Sequence, residues 1–496
     1  MINTTSLYTA SRLRELDRTA IEVAGIAGYT LMTRAGAAAW QVLVTSWPDA
    51  RTLAVVCGTG NNGGDGYVLA RLAHAAGYRV RVLQLGDAGR IRGAAQTARD
   101  DWLAADGETV VFDVQALTEA DVIIDAILGT GLERPLEGGW LAAVNAINAL
   151  PAAVLALDIP SGLQADTGAI LGATVRADRT ATFIGRKCGL YTGQGPDVAG
   201  HITLHDLEVP ESVYREVTAA AYLVTEPPLG QLGTPRPRTA HKGDHGHVLV
   251  IGGDHGMSGA VQLAGLAALR TGAGLVSLAT RPEHAAVIAA ACPELMSHGI
   301  DTGRSLQGLL QRASVVAIGP GLGRSRWAQQ LLSAVLQCKL PLVVDADALN
   351  LLARDPVTRD NWILTPHPGE AGRLLGMPTP AIQADRFAAL TALTRNCGGI
   401  TVLKGAGTLV STSGAPVAVC AAGNPGLASA GMGDVLTGVI AGLVAQGLVL
   451  PQAAIAGVCV HALAGDAVAR AGERGMLATD VIAALRGVMQ QAGETE

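Results

Sequence analysis

The stretch Leu53-Ala-Val-Val-Cys57, running into Gly58-Thr-Gly-Asn-Asn-Gly-Gly-Asp65-Gly66, decides the fold class of this chain. A short unbroken apolar run reads as a strand buried on both faces. The glycine-rich turn that follows offers backbone amides to an anion at the strand's carboxyl end. A second passage of the same kind lies near the other end of the chain. There Gly423-Asn-Pro-Gly-Leu-Ala-Ser-Ala-Gly-Met-Gly433-Asp434 opens a long apolar segment. Both passages set a carboxylate beside amides that favour negative charge. Two phosphate-handling sites, and so two activities, are expected of one chain.

Outward from the first passage, strand and helix patterns alternate. Residues 11–47 carry helical periodicity through Leu13, Leu16, Ala20 and Val23. Strands are predicted at 51–57, 78–85, 122–127, 153–157 and 180–184, with a helix over 67–76. The pattern breaks across 208–240, where Glu226-Pro-Pro and Thr234-Pro-Arg-Pro-Arg punctuate the chain. A boundary near 220 follows, giving domains 1–220 and 221–496. Alternation then restarts, with strands predicted at 247–251, 275–279, 315–318, 342–344, 363–364 and 400–403. Two α/β domains with largely parallel sheets are the expected architecture.

Composition narrows the function classes. The 496 residues include 63 glycines, well above the usual share of about 7%, and these punctuate turns without a collagen-like period. The net charge of −6 is spread without blocks, which argues against nucleic acid as a partner. The seven cysteines are scattered and form no C-x-x-C pair, so reduced thiols in the cytoplasm are expected. The opening Met1-Ile-Asn-Thr-Thr5 carries neither a basic nor an apolar leader pattern. The longest apolar run, 435–450, is too short for a bilayer and reads as a core helix, so no membrane is expected. Lysine occurs only at 187, 242, 339 and 404, a bias that genome base composition accounts for, and the few retained are weak pointers to places where arginine would not serve.

Three N-terminal strand ends carry polar, glycine-rich turns: Asn61–Asp65, Asp125 through Gly129-Thr-Gly-Leu-Glu-Arg-Pro135, and Asp158-Ile-Pro-Ser161-Gly162. In open parallel sheets such ends converge on a ligand crevice. The Gly58-Thr-Gly60 match lacks the acidic residue that the fingerprint expects at the end of the second strand, which closes on Gln84-Leu85, so an ordinary dinucleotide site is not supported. In the C-terminal half, Asp434 stands where a base could deprotonate a hydroxyl attacking a phosphate. Upstream lie Gly252–Ala260, Gly319–Gly323, Thr365-Pro-His-Pro-Gly-Glu370 and Lys404-Gly-Ala-Gly-Thr408. No G-x-x-x-x-G-K-[ST] loop occurs, so phosphate binding falls to the helix terminus and the Lys404 loop. Read from the residues alone, this is a nucleotide-dependent, kinase-like site.

These motifs resemble a known pair. Asn61–Asp65, Gly129–Leu132 and Leu157–Gly162 look like the NAD(P)H-hydrate epimerase domain. Ala268-Leu-Arg-Thr-Gly-Ala-Gly-Leu275, Thr365–Glu370 and Gly423–Asp434 look like the ADP/ATP-dependent NAD(P)H-hydrate dehydratase domain of the ribokinase-like superfamily. The resemblance covers nearly the whole chain. It implies a Rossmann-like three-layer α/β/α domain followed by a ribokinase-like one. It implies repair of NADH and NADPH that carry a hydroxyl at C6 of the nicotinamide ring. The first domain would interconvert the R and S epimers. The second would phosphorylate the S hydroxyl from ADP or ATP, and loss of phosphate would restore the ring.

By position, the resemblance puts the epimerase substrate on Asn61, Asn62, Gly63, Gly64, Asp65, on Gly129, Thr130, Gly131, Leu132, Glu133, Arg134, Pro135, and on Asp158, the proton-transfer candidate. Potassium would sit on Asn62, Asp125 and Ser161. The dehydratase substrate would lie on Ala260, Gly321, His367 and Asp434, with Asp434 as base. The adenine nucleotide would lie on Lys404, Gly405, Ala406, Gly407, Thr408 and Gly433, bringing magnesium with it. Asp254-His255 departs from the Gly-Ser of many relatives. A homo-oligomer is expected. Two alternatives stay open: a small-molecule kinase with a binding-only N-terminal domain, and a nucleotide-sensing N-terminal module.

Overall fold

The structure, a computed structural model, describes residues 5–411 and 414–491. The opening residues 1–4, where a leader would begin, lie outside them. The chain divides into two compact units, Met1–Tyr222 and Leu223–Glu496.

The strands of the first unit are β1 (Ser6–Tyr8), β2 (Thr52–Cys57), β3 (Arg79–Gln84), β4 (Thr109–Val111), β5 (Val122–Ala126), β6 (Ala153–Leu157), β7 (Arg179–Phe183), β8 (Arg186–Lys187), β9 (His201–His205) and β10 (Ala221–Leu223). Seven of them form a parallel sheet of order β4-β3-β2-β5-β6-β7-β9. Along β2, Leu53, Val55 and Cys57 enter one hydrophobic core, with Met32, Val68 and Trp102. Ala54 and Val56 enter another, with Val144 and Ile147. The alternation of one strand between two cores is what makes three layers. The chain direction across the sheet reverses between β2 and β5, and such a switch opens a crevice beyond the strand ends.

Two details differ from the sequence reading. The periodic stretch 11–47 is two helices, Ala10–Glu22 and Gly28–Ser46. The glycine-rich segment expected as a turn is already helical: the helix runs from Asn61 to Ala75. Packing explains its glycines. A Cβ on Gly66 would lie 2.6 Å from the Ala126 Cβ, and one on Gly63 would lie 2.2 Å from the Gly58 carbonyl oxygen. The helix sits too close to β2 and β5 to carry side chains there.

The second unit contains β11 (His247–Ile251), β12 (Leu275–Thr280), β13 (Met296–Gly299), β14 (Val315–Ile318), β15 (Leu342–Val344), β16 (Trp362–Leu364), β17 (Ile400–Leu403), β18 (Thr408–Val410) and β19 (Val417–Cys420). Its sheet runs β13-β12-β11-β14-β15-β16-β17 in parallel, then adds β18 and β19 antiparallel. The order reverses between β11 and β14. There Gly252 meets the next loop so closely that a Cβ would fall 1.9 Å from the Pro320 carbonyl oxygen. The apolar run at 435–450 is largely the helix Met432–Ala445, buried from Val435 through Val444. It packs on the helix Ser258–Thr271. A further helix, Leu450–Ala469, is long and apolar enough to cross a bilayer, yet 67% of its apolar window is buried within the fold. It is a core helix here.

Candidate active sites

In the first unit the switch point opens a cavity of about 600 Å³. The end of β5 and the loop after β6 build its floor. Asp125, wholly buried in β5, accepts the Ser161 hydroxyl at 2.6 Å, the Ser161 amide at 2.8 Å and the Ile127 amide at 3.2 Å. Burial drives its carboxyl up to about 6, with the Ser161 and Ile127 bonds pulling the other way. The Ser161 hydroxyl also meets the Leu128 amide at 2.8 Å. The Asn62 amide nitrogen donates to the Leu128 carbonyl at 3.0 Å, which leaves its own buried Oδ1 without a partner. A partnerless buried oxygen beside a carboxylate, a hydroxyl and a carbonyl is a donor set suited to a hard cation.

Asp158 stands at the cavity's edge, just beyond β6. Its φ of +69° places a non-glycine residue in the left-handed region, a strain that accumulates at functional sites. The surroundings enforce it. The Asp158 amide donates to the Ala181 carbonyl at 2.7 Å, and its carboxylate accepts the Phe183 amide at 3.3 Å and pairs with Lys187. Lys187 is 1% exposed, and its ammonium also reaches the Thr182 hydroxyl at 2.9 Å and the Gly185 carbonyl at 3.1 Å. Gly129 lies opposite, where a Cβ would come within 3.5 Å of Asp158 Oδ2. Asp65 faces the same space; burial, then Asp158 and Asp17, hold its carboxyl well above the usual range.

Of the residues expected here, Asn61, Asn62, Asp65, Gly129, Thr130, Gly131 and Asp158 line this cavity. Gly63 and Gly64 serve helix packing. Leu132 belongs to the hydrophobic core, and Glu133, Arg134 and Pro135 are exposed. Lys187 and Asp17 were not singled out as site residues. The scarcity of lysine was the one signal for Lys187; Asp17 had none.

In the second unit, Gly431 (φ +85°) caps the helix Met432–Ala445 and Asp434 stands in its first turn. Lys404, at the end of β17, donates to Asp345 Oδ1 at 2.7 Å and lies 4.0 Å from Glu370. Thr437 on the same helix donates to Asp345 Oδ2 at 2.8 Å. Gly433 lies between them: a Cβ there would sit 3.4 Å from the Lys404 ammonium and 3.5 Å from Asp345 Oδ2. Burial, then Asp345, pushes the Asp434 carboxyl up to about 7, against the pull of Lys404. Burial also lifts Glu370 to about 7. Burial depresses Lys404, but Asp345 and Glu370 outweigh it and hold the ammonium above its ordinary value.

His367 caps the helix Pro368–Leu375. Its Nδ1 accepts the Gly369 amide at 3.0 Å, and its own amide donates to Glu370 at 2.9 Å. Burial, then Lys404, keeps the ring's pKa below its ordinary value. The loop 404–408 is propped from beneath by Arg386, 1% exposed, which donates to the carbonyls of Leu403 at 3.2 Å, Lys404 at 3.3 Å and Gly407 at 3.4 Å. Gly321 and Ala260 meet across the switch point, 3.1 Å separating their Cβ positions. Asp254, in the loop after β11, locks that loop: it accepts Arg281 at 2.7 Å and the Ser325 hydroxyl at 2.9 Å. Asp345, Thr437 and Arg386 were missed. Asp345 ends the apolar run of β15 just as Asp158 follows β6, and that parallel was the available signal.

Comparison with known proteins follows this division. Residues 28–189 match a family described as YjeF-related protein N-terminus, and residues 248–486 one described as NAD(P)H-hydrate dehydratase. A bifunctional NAD(P)H-hydrate repair enzyme of Coxiella burnetii is 48% identical, over 97% of this chain and 99% of its own. One from Escherichia coli is 45% identical, over 98% of this chain and 94% of its own. Among solved structures, a ribokinase-like superfamily protein of Enterococcus faecalis aligns at 30% identity and TM-score 0.50, covering 54% of this chain and 95% of that one.

Proposed function

The chain belongs to the bifunctional NAD(P)H-hydrate repair enzymes, and from that premise we infer which residues carry each half of the repair. The N-terminal domain interconverts the R and S forms of hydrated NADH and NADPH. The C-terminal domain dehydrates the S form at the expense of an adenine nucleotide, ADP or ATP, releasing phosphate and AMP or ADP.

In the dehydratase half, the observation that carries the reading is Asp434 in the first turn of a glycine-capped helix, beside Lys404. Asp434 takes the proton of the substrate hydroxyl, whose oxygen attacks the terminal phosphate. The helix amides and the Lys404 ammonium stabilise charge on the transferring group. Electrons from the ring nitrogen then expel phosphate, a far better leaving group than hydroxide, and loss of a C5 proton restores the reduced nicotinamide. Substrate rests on Ala260, Gly321 and His367. The nucleotide rests on Gly433 and on the loop Lys404, Gly405, Ala406, Gly407 and Thr408. Among the described residues no group of three His, Cys, Asp or Glu stands ready for a metal. Magnesium would come with the nucleotide, and its charge would neutralise that of the phosphates.

In the epimerase half, the cavity residues Asn61, Asn62, Asp65, Gly129, Thr130 and Gly131 form the substrate platform, and Asp158 transfers the proton. The partnerless Asn62 oxygen, with Asp125 and Ser161, fits potassium. All seven cysteines are free among the described residues, which supports a reducing, cytoplasmic setting.

A mixed R/S hydrate of NADH, with magnesium and either ADP or ATP, tests the whole reading through the near-ultraviolet absorbance of reduced nicotinamide. Full recovery with one nucleotide is expected. Recovery of the S fraction alone would remove the epimerase, and a stable phosphorylated product would turn the second domain into a kinase.

A further inference from the structure

We propose that Asp17 is the acid of the epimerisation, working across the cavity from Asp158. The inference rests on the reading of this cavity as the epimerase site and extends it to a residue on a different element. The helix Ala10–Glu22 buries Leu13, Leu16 and Ala20, which turns the intervening Asp17 toward the crevice, where it lines the same cavity as Asp158, Asp65 and Lys187.

The two carboxylates are in opposite circumstances. Asp158 is paired with Lys187 and accepts a backbone amide. No hydrogen bond or ion pair engages the Asp17 side chain among the described residues, and it is open to the cavity's solvent. Enclosure by the surrounding walls, then the Asp158 charge, lifts its carboxyl to about 6, with Lys187 opposing. The other ionisable groups facing it are Asp65 and Tyr214, with Arg14 also on the cavity wall. Two carboxyl groups held apart in this way divide into a base and an acid.

The chemistry needs both. The epimerised carbon bears a hydroxyl and is bonded to the ring nitrogen, so it is a hemiaminal. Asp158 removes the hydroxyl proton, the C6–N1 bond breaks as the C6 oxygen becomes a carbonyl, and the electron pair goes to N1. N1 is a poor leaving group unless it is protonated, and Asp17 supplies that proton. The aldehyde turns over and N1 attacks its other face. The N1 proton returns to Asp17 and the Asp158 proton to the new hydroxyl. Atoms balance, and both groups end each epimerisation as they began.

The test uses the full-length enzyme carrying Asp17→Asn, Asp17→Glu or Asp158→Asn. Conversion of purified R hydrate to S is followed chromatographically without nucleotide. Dehydration of S hydrate by the same preparations, with their melting temperatures, reports that each variant is folded. Asp17→Asn should lower kcat for R-to-S conversion about a hundredfold. In the wild type, activity should fall as pH rises through about 6, where Asp17 loses its proton. Asp17→Asn should abolish that limb, and Asp17→Glu should keep it with much of the rate. An Asp17→Asn enzyme with wild-type kcat, or with the alkaline limb intact, overturns the proposal. If Asp158→Asn is then inactive, the cavity remains the epimerase site and Asp17 alone is excluded. If Asp158→Asn is also fully active, the reading of the cavity falls with it.

Discussion

Asp434 and Asp125 are both raised by burial, and the same shift has a kinetic consequence at one and a thermodynamic consequence at the other. Asp434 must be deprotonated to act as a base, so dehydration should fall as pH drops through about 7. Asp345 is the largest charge contribution to that shift. Asp345→Asn should therefore move the acid limb of the pH–rate profile to lower pH; an unmoved limb would contradict the assignment. Asp434→Asn should cost dehydration about 10² to 10⁴ in rate and leave R/S interconversion intact, read by assaying both steps on one preparation. Asp125 matters for folding. Its carboxyl binds a proton more tightly folded, at about 6, than unfolded, near 3.9. The stability it contributes is present at low pH and fades as pH rises toward about 6. A cation held by Asn62, Asp125 and Ser161 would offset that loss once Asp125 is ionised. Potassium should thus raise the melting temperature of the N-terminal domain more at about pH 8 than at about pH 5. Equal shifts at both, or equal shifts from lithium, would remove potassium from this site.

The helix Met432–Ala445 shows what glycine does for a whole element. A Cβ on Gly438 would fall 2.0 Å from the Ala264 carbonyl oxygen, and one on Gly442 would fall 2.9 Å from that of Ala268. Backbone atoms cannot step aside. Gly438→Ala should destabilise the C-terminal domain by about 1–3 kcal/mol or more, lowering its thermal transition while epimerisation persists. The close approach is also what brings the Asp434 turn beside the helix that carries Ala260. Elements of this kind were unequally legible. β2, β6, β11 and β14 are built on continuous apolar runs, and β5 on Val122-Ile-Ile ahead of its Asp125, so their place in a parallel sheet was plain from sequence. β4, β13 and β9 border the sheets, are short or half polar, and gave no such signal. The helix beginning at Asn61 read as a turn because Gly63, Gly64 and Gly66 disfavour helix in isolation. Only the nearness of β2 and β5 explains them.

At the scale of the molecule, the S hydrate made by one reaction is the substrate of the other, and the two candidate sites have no residue in common. An equimolar mixture of Asp158→Asn and Asp434→Asn enzymes should therefore recover the full nicotinamide signal from a mixed R/S hydrate, more slowly than wild type. Failure to recover it would mean that both active sites must reside on one chain. The strand-end residues of both sites could be found from sequence because one topological rule places them. Asp345 stands under the same rule, directly after β15; Asp17 and Arg386 could not be found so, since each comes from a helix whose position depends on tertiary packing. The lysines have a practical consequence of their own. Lys187 is 1% exposed and the Lys404 side chain 19%, both in salt bridges, while Lys242 and Lys339 are exposed. Among the lysines, amine-directed conjugation with limiting reagent should attach at those last two, both in the C-terminal domain. A dye or surface tether could then be fixed there without touching the ammonium groups of either reaction.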